Sequence, residues 1–151
     1  MLAELEELAA QLGIIDRVTF PGFVAEADKA ALLSSADILA LPSTGGESFG
    51  ISVVEALAAS TGVVIAGDNP GYRTVMNGLE GQLVIPTDHN QFAELLARWC
   101  WALQDDEYRQ EVIAAQHLAA ARFDVEVVGQ AIESVYRRAQ GAPSQNSSRR
   151  S

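Results

Sequence analysis

Three short, almost wholly apolar runs, separated by helix-patterned stretches, narrow the possible folds of this chain most. They are ILAL at 38–41, VVIA at 63–66 and QLVI at 82–85. Runs of this length without polar alternation are typical of strands buried on both faces, as in parallel sheets covered by helices. An Ala/Leu-rich helix over 26–35 leads through Ala36-Asp37 into the first run, and FGISVVEALAA predicts a helix between the first and second. Gly67 to Asn77 reads as loop plus a short helix. Beyond Asp88 the pattern is helical over 89–103, 105–120 and 125–139, with Asp88, Asp105 and Asp124 as N-caps. Upstream, Leu2, Leu5, Leu8, Ala9 and Leu12 recur at helical spacing and Gly13 provides a stop. RVTFPGFV is a short β-prone run interrupted by Pro21-Gly22. The expected fold class is α/β, a Rossmann-like parallel sheet with helices on both faces, over residues 1–139. A small, polar tail over 140–151 is expected to be disordered.

Composition bounds the function. The chain has 151 residues, 48% of them hydrophobic, enough for one domain with a real core. No apolar run reaches the roughly 18 residues of a spanning helix. The acidic start, MLAELEELAAQLG, lacks a signal-peptide layout. A lone cysteine, Cys100 between Trp99 and Trp101, excludes an internal disulfide, fits a reducing compartment and is expected to be a small buried hydrophobe. A soluble, cytoplasmic chain is the expectation. With 20 acidic against 10 basic residues, the net charge of −10 opposes nonspecific nucleic-acid binding. Before Arg98 the only basic residues are Arg17, Lys29 and Arg73.

In open α/β sheets ligands bind beyond the carboxyl ends of the strands, and the loop PSTGGES at 42–48 occupies that position. Gly45-Gly46 frees the backbone and lets a ligand approach. The helix that follows begins near Phe49-Gly50, and its amino end, with unpaired N–H groups and the positive end of the helix dipole, suits a phosphate. Glu47 sits at the mouth, and Glu55 lies roughly 7.5 Å further along the helix axis. Two carboxylates beside such a site repel an anion unless each has a polyol partner. A sugar nucleotide offers that arrangement, with hexose hydroxyls on one side of a diphosphate and ribose hydroxyls on the other. Spacing alone slightly favours a plainer reading, in which Glu47 caps the helix and Glu55 is a polar residue on its exposed face.

The stretch Glu47-Ser-Phe-Gly-Ile-Ser-Val-Val-Glu55 resembles the E-x₇-E signature of retaining glycosyltransferases of the GT-B architecture, specifically glycosyltransferase family 4 (group 1). The likeness extends to RVTFPGFV before it and TGVVIAGDNPGYRTVMNGLEGQLV after it, covering residues 14–86. The resemblance implies a partial C-terminal, donor-binding domain that serves hexosyl transfer, with retention, from a nucleotide-diphosphate sugar and without an essential metal or other cofactor. It implies Glu47 on the donor hexose hydroxyls as the catalytic-site carboxylate, with Ser48 beside it. Backbone N–H groups of Phe49 and Gly50 meet the sugar, and Gly50 and Ile51 the diphosphate. Glu55 holds the ribose, Gly22, Phe23 and Val24 border the base, and Lys29 lies near it. ADKAALLSSAD followed by GGESFGI is most similar to phosphatidylinositol mannosyltransferases, which points to GDP-mannose ahead of a UDP-hexose as donor.

The sequence departs from the family in three respects. The arginine and lysine that grip the diphosphate in the family come from a region ahead of the first helix seen here. The N-terminal acceptor-binding domain is likewise expected outside this chain, and with it any peripheral contact with a membrane acceptor. Ser60 stands where the family usually has Gly, so a left-handed backbone there would be strained. The chain alone is therefore expected to transfer no sugar, and a non-catalytic or partner-dependent nucleotide-sugar-binding module is the alternative. A flavodoxin-like signalling domain fits less well, since no strand ends in the required acidic cluster with a phosphorylatable Asp. His89 and His117 lack a second ligand at metal spacing. Arg73 is expected either to face the crevice or to pair with a local carboxylate, and Asp37 to serve a turn or cap. Leu95, Leu96, Trp99 and Leu103 form a core stripe.

Overall fold

A computed structural model describes residues 2–46 and 48–141. Its centre is a parallel sheet of three strands in the order β1-β2-β3: β1 Ile38–Leu41, β2 Val63–Gly67 and β3 Leu83–Val84. Ile38 is in register with Val63 and Leu41 with Ala66, while Ala66 and Gly67 pair with Leu83 and Val84. All five residues of β2 are buried, as its unbroken apolar sequence requires of a central strand.

Among the described residues there are seven α-helices: α1 Leu2–Gln11, α2 Glu26–Ser34, α3 Ile51–Ala59, α4 Pro70–Val75, α5 His89–Ala102, α6 Asp106–Ala121 and α7 Val125–Gly141. The side chains of β2 alternate between two cores. Val64 and Ala66 pack with Val53, Ala56 and Leu57 of α3, Tyr72 and Val75 of α4, and Ala119 and Ala120 of α6. Val63 and Ile65 face the other way, onto Leu95 and Trp99 of α5, Leu103, and Val112 of α6. Helices thus cover both faces, and Leu95, Trp99 and Leu103 are core as expected, with Leu96 packed against them.

Local chemistry sets the helix starts. Asp88 accepts the Gln91 N–H at 2.9 Å, Asp105 that of Tyr108 at 3.1 Å and Asp124 that of Glu126 at 2.8 Å. Pro70 opens α4 where a missing N–H costs nothing, and Asn69 caps it by accepting the Tyr72 N–H.

Four expectations are corrected. RVTFPGFV forms no strand: Ile15–Arg17 is a 3₁₀ turn and the rest is irregular up to α2. A strand exists by pairing, the sheet gives this segment no neighbour, and Pro21 supplies no N–H. Cys100 is exposed, because Trp99 takes the inward position on α5 and rotates the next residue outward. Ser60 carries no strain, with φ −64° and ψ 140° in ordinary extended backbone. The last helix reaches Gly141, so residues 140 and 141 belong to it, while the remainder of the expected tail lies outside the described residues.

Candidate functional site

The site begins with the loop after β1. Ser43 donates its N–H to Leu41 O and its carbonyl accepts from the Asn69 amide at 3.1 Å, which ties this loop to the one after β2. The two loops can approach because residue 67 is glycine: a Cβ there would lie 2.2 Å from Ser43 O. Gly45 and Gly46 have φ of 148° and 83°, as a glycine pair at the crevice mouth suggests.

α3 starts at Ile51, one residue beyond the expected Phe49-Gly50 boundary, and Gly50 is its N-cap in the left-handed region with φ 89°. A Cβ on Gly50 would come within 2.5 Å of the Tyr72 ring, so the glycine serves both the turn and a close approach to α4. Phe49 meets the Phe123 ring edge-on at 5.1 Å, which anchors the loop's end to the core. Ser48 and Ile51 are exposed. Backbone N–H groups at this helix start face the loop region with no earlier turn to accept them. Glu47 lies outside the described residues.

Glu55 is half-buried on α3 and is not a plain exposed polar residue. Its carboxylate accepts from Lys29 Nζ at 3.1 Å (Oε1) and 3.2 Å (Oε2). Lys29 stands on the first turns of α2, which packs against α3, and also pairs with Glu26 at 2.9 Å. Glu26 first, then Glu55, raises the pKa of the Lys29 ammonium. Lys29, expected near the base, is thus brought against the Glu55 carboxylate. Gly22, Phe23 and Val24 sit just ahead of α2, with Gly22 at φ 67° and the Phe23 ring 94% exposed.

Arg73 takes the second of its two expected roles: its guanidinium pairs with Asp68, Nη2 to Oδ2 at 2.9 Å, and holds that carboxyl below its usual range. Asp37 is more than a turn residue, since it pairs with Arg109 of α6 at 2.8 Å while its carbonyl accepts the Val63 N–H. His89 is exposed at the start of α5, and His117 Nε2 lies 3.1 Å from Ser60 O. Among the described residues no three His, Cys, Asp or Glu side chains converge as a metal site would require, and no helix is long and apolar enough to cross a membrane.

Sequence reasoning passed over Gln116, which is fully buried. Its Oε1 accepts the Val64 N–H at 2.7 Å, and its Nε2 donates to Gly62 O at 2.7 Å and Ser60 Oγ at 3.0 Å. No motif marks it. The only available signal was a polar residue four positions after Val112 and three before Ala119, on the inward stripe of α6. A cavity of about 590 Å³ between Gly78–Gln82 and Tyr108 has no lining residue from α2, α3 or the loop before α3, so it stands apart from this site.

A parallel sheet covered on both faces, with a glycine-shaped loop feeding a helix at the carboxyl end of β1, defines an α/β domain of the Rossmann-like, nucleotide-site class. Residues 1–117 match the model of the family "Glycosyl transferases group 1", and the chain belongs to that family. It is 41% identical over 133 residues to a phosphatidyl-myo-inositol mannosyltransferase of Mycobacterium leprae, covering 87% of this chain and 34% of that protein. A D-inositol 3-phosphate glycosyltransferase of Mycobacterium marinum is 36% identical, over 91% of this chain and 29% of its own length. Among solved structures, Anabaena Alr3699/HepE in complex with UDP superposes with a TM-score of 0.75 at 27% identity, covering 91% of this chain and 36% of that one. The same protein with UDP-glucose gives 0.71 at 30% identity. The chain spans about a third of the length of these relatives. The expected fold class, a Rossmann-like parallel α/β sheet of the GT-B kind, is the fold found.

Proposed function

We propose that this chain is the donor-binding part of a hexosyltransferase that works with retention on a nucleotide-diphosphate sugar, GDP-mannose ahead of a UDP-hexose. The observation that carries the reading is Glu55, half-buried on α3 and held by Lys29, on the helix that opens from the glycine loop at the end of β1. In the proposal Glu55 accepts the ribose hydroxyls, and Gly22 to Val24 border the base. Backbone N–H groups of Phe49 and Gly50 meet the sugar, and Gly50 and Ile51 the diphosphate. Glu47 and Ser48 take the hexose side, with Glu47 on its hydroxyls. Charge developing on the departing diphosphate is the quantity an active enzyme must stabilise. The names of the relatives support a mannosyl donor, and the UDP and UDP-glucose complexes of the structural neighbour support a nucleotide-diphosphate ligand.

One observation favours a second, narrower role. Of the basic residues ahead of Arg98, Lys29 is committed to Glu26 and Glu55 and Arg73 to Asp68. Each would have to give up an ion pair to neutralise a diphosphate, and the third, Arg17, lies in the 3₁₀ turn ahead of α2. The proposal is therefore that the chain binds donor and turns nothing over alone, while acceptor binding, including a membrane-borne acceptor, belongs to an N-terminal domain outside it.

Calorimetric titration of GDP, GDP-mannose, UDP and UDP-glucose tests this, with Glu55→Ala as control. Binding that the variant loses supports a live donor site. Absence of binding to all four ligands leaves the non-binding remnant as the correct reading. Sugar transfer by the purified chain would refute its inactivity.

A further inference from the structure

We propose that the cavity of about 590 Å³ beside β3 is a second ligand site, which takes a neutral pyranose ring and is separate from the donor crevice. Its wall includes the 3₁₀ turn Glu80–Gln82, which leads straight into the amino end of β3, together with residues of α5 and α6. The strands are parallel, so the glycine loop at the carboxyl end of β1 lies at the opposite end of the sheet. The volume falls in the range that small-molecule sites occupy, about 300–1,000 Å³.

Two polar atoms carry the inference. Gln82 is 5% and Trp99 6% exposed, and both residues line this cavity. Among the described residues, only Gln82 Oε1 and Trp99 Nε1 are buried side-chain polar atoms without a hydrogen-bond partner. Native proteins leave few such groups, because each has given up its bonds to water for nothing in return. One is an acceptor and the other a donor. A hydroxyl answers either, since its oxygen accepts from an indole N–H and its hydrogen goes to an amide oxygen. Both atoms are shielded from solvent, so the Gln82 side chain must turn to another rotamer as a hydroxyl enters.

The rest of the wall narrows the class of ligand. Arg98 and Glu111 bring opposite charges that cancel, which favours neither an anion nor a cation. Arg98 donates one N–H to Gly81 O at 3.1 Å and has further donors in its fork, while the Glu111 carboxylate only accepts. The Tyr108 ring stacks on Trp99, with centroids 6.1 Å apart and planes 12° from parallel, and Tyr108 is 42% exposed. A pyranose suits this mixture. It carries no charge, its hydroxyls donate and accept around its edge, and its C–H face can lie on the electron-rich face of an aromatic ring.

The test is an NMR titration of the full chain with methyl α-mannopyranoside, followed through the indole N–H signals. The chain has two tryptophans, Trp99 and the exposed Trp101, and Trp101→Phe identifies which signal is which. The Trp99 signal is expected to move saturably, with a Kd of about 1–10 mM, while that of Trp101 stays in place. Gln82→Leu and Tyr108→Ala, each checked by circular dichroism, are expected to weaken binding about fivefold or more. Cyclohexanol, a ring of similar size with a single hydroxyl, is expected to bind less tightly than the glycoside, and excess GDP to leave the Kd unchanged. Absence of a saturable Trp99 shift by about 50 mM glycoside overturns the proposal. Equal binding of cyclohexanol does so as well, because it would mark a merely apolar hollow. Full affinity in both variants would put the sugar elsewhere, and competition by GDP would put it in the donor crevice; either result overturns the assignment. A chain that binds no nucleotide at all can still pass this test, so the two readings fail separately.

Discussion

At its amino end β2 runs into Gln116, whose fully buried amide satisfies Val64, Gly62 and Ser60 at once. At its carboxyl end the same strand gives way to Gly67, the Ser43 carbonyl and the Asp68–Arg73 pair, whose side chains are 26% and 64% exposed. Polar groups at the first end have no water to fall back on, so each bond there is worth most of its desolvation cost. Charges at the second end remain hydrated and contribute little to folding. Stability and recognition are thus placed at opposite ends of one strand, and Lys29–Glu55 belongs with the open end. α2 runs down into the start of β1, so its first turns lie toward the carboxyl side of the sheet.

The most demanding challenge to this contrast is Gln116→Leu, which keeps the volume and removes both polar atoms. It should cost about 2–4 kcal/mol in urea unfolding, because the Val64 N–H is left buried without an acceptor. A loss below about 1 kcal/mol would break the idea of a sealed polar end. Next in size is a pair of glycine substitutions in the site loop. Gly50→Ala should cost about 2–3 kcal/mol, since it adds a clash with Tyr72 to a left-handed backbone. Gly46→Ala meets nothing within 4 Å and should cost only the backbone strain, about 1 kcal/mol. Equal urea midpoints for the two would show that the loop does not lean on α4.

Glu55→Ala should leave the unfolding midpoint nearly unchanged while nucleotide affinity falls tenfold or more. A large stability loss would move Glu55 from the open end to the structural one. The smallest effect concerns Asp68, whose carboxyl is held down by Arg73. A depressed folded-state pKa stabilises above the ordinary carboxylate range, and the gain disappears as pH falls through the folded value. Wild type and Arg73→Gln should therefore differ slightly at neutral pH and converge in acid, as thermal melts across that range can check.

Legibility in the sequence followed the kind of interaction. VVIA and the Leu95–Leu103 stripe are continuous patterns, and burial of their apolar surface dominates the outcome, whereas ILAL forms a strand at the sheet edge with none of its residues fully buried. The aspartate caps were equally readable, because each bonds a backbone N–H two or three residues on. RVTFPGFV failed because strand propensity needs a paired neighbour, which composition cannot supply. Cys100 failed on a single step of helix phase. The pairing of Lys29 with Glu55 was not legible, since the two residues are 26 positions apart on different helices.

By itself, the sequence determined the α/β class, the buried central strand, the helix caps and the family, all carried by local patterns or an ordered motif. Only the tertiary structure decided which charges meet: Lys29 with Glu55, Arg109 with Asp37, and Gln116 with three backbone or side-chain partners around β2. Ion pairs and buried amides are short-ranged and directional, so distant residues pair only after the apolar core has brought their helices together.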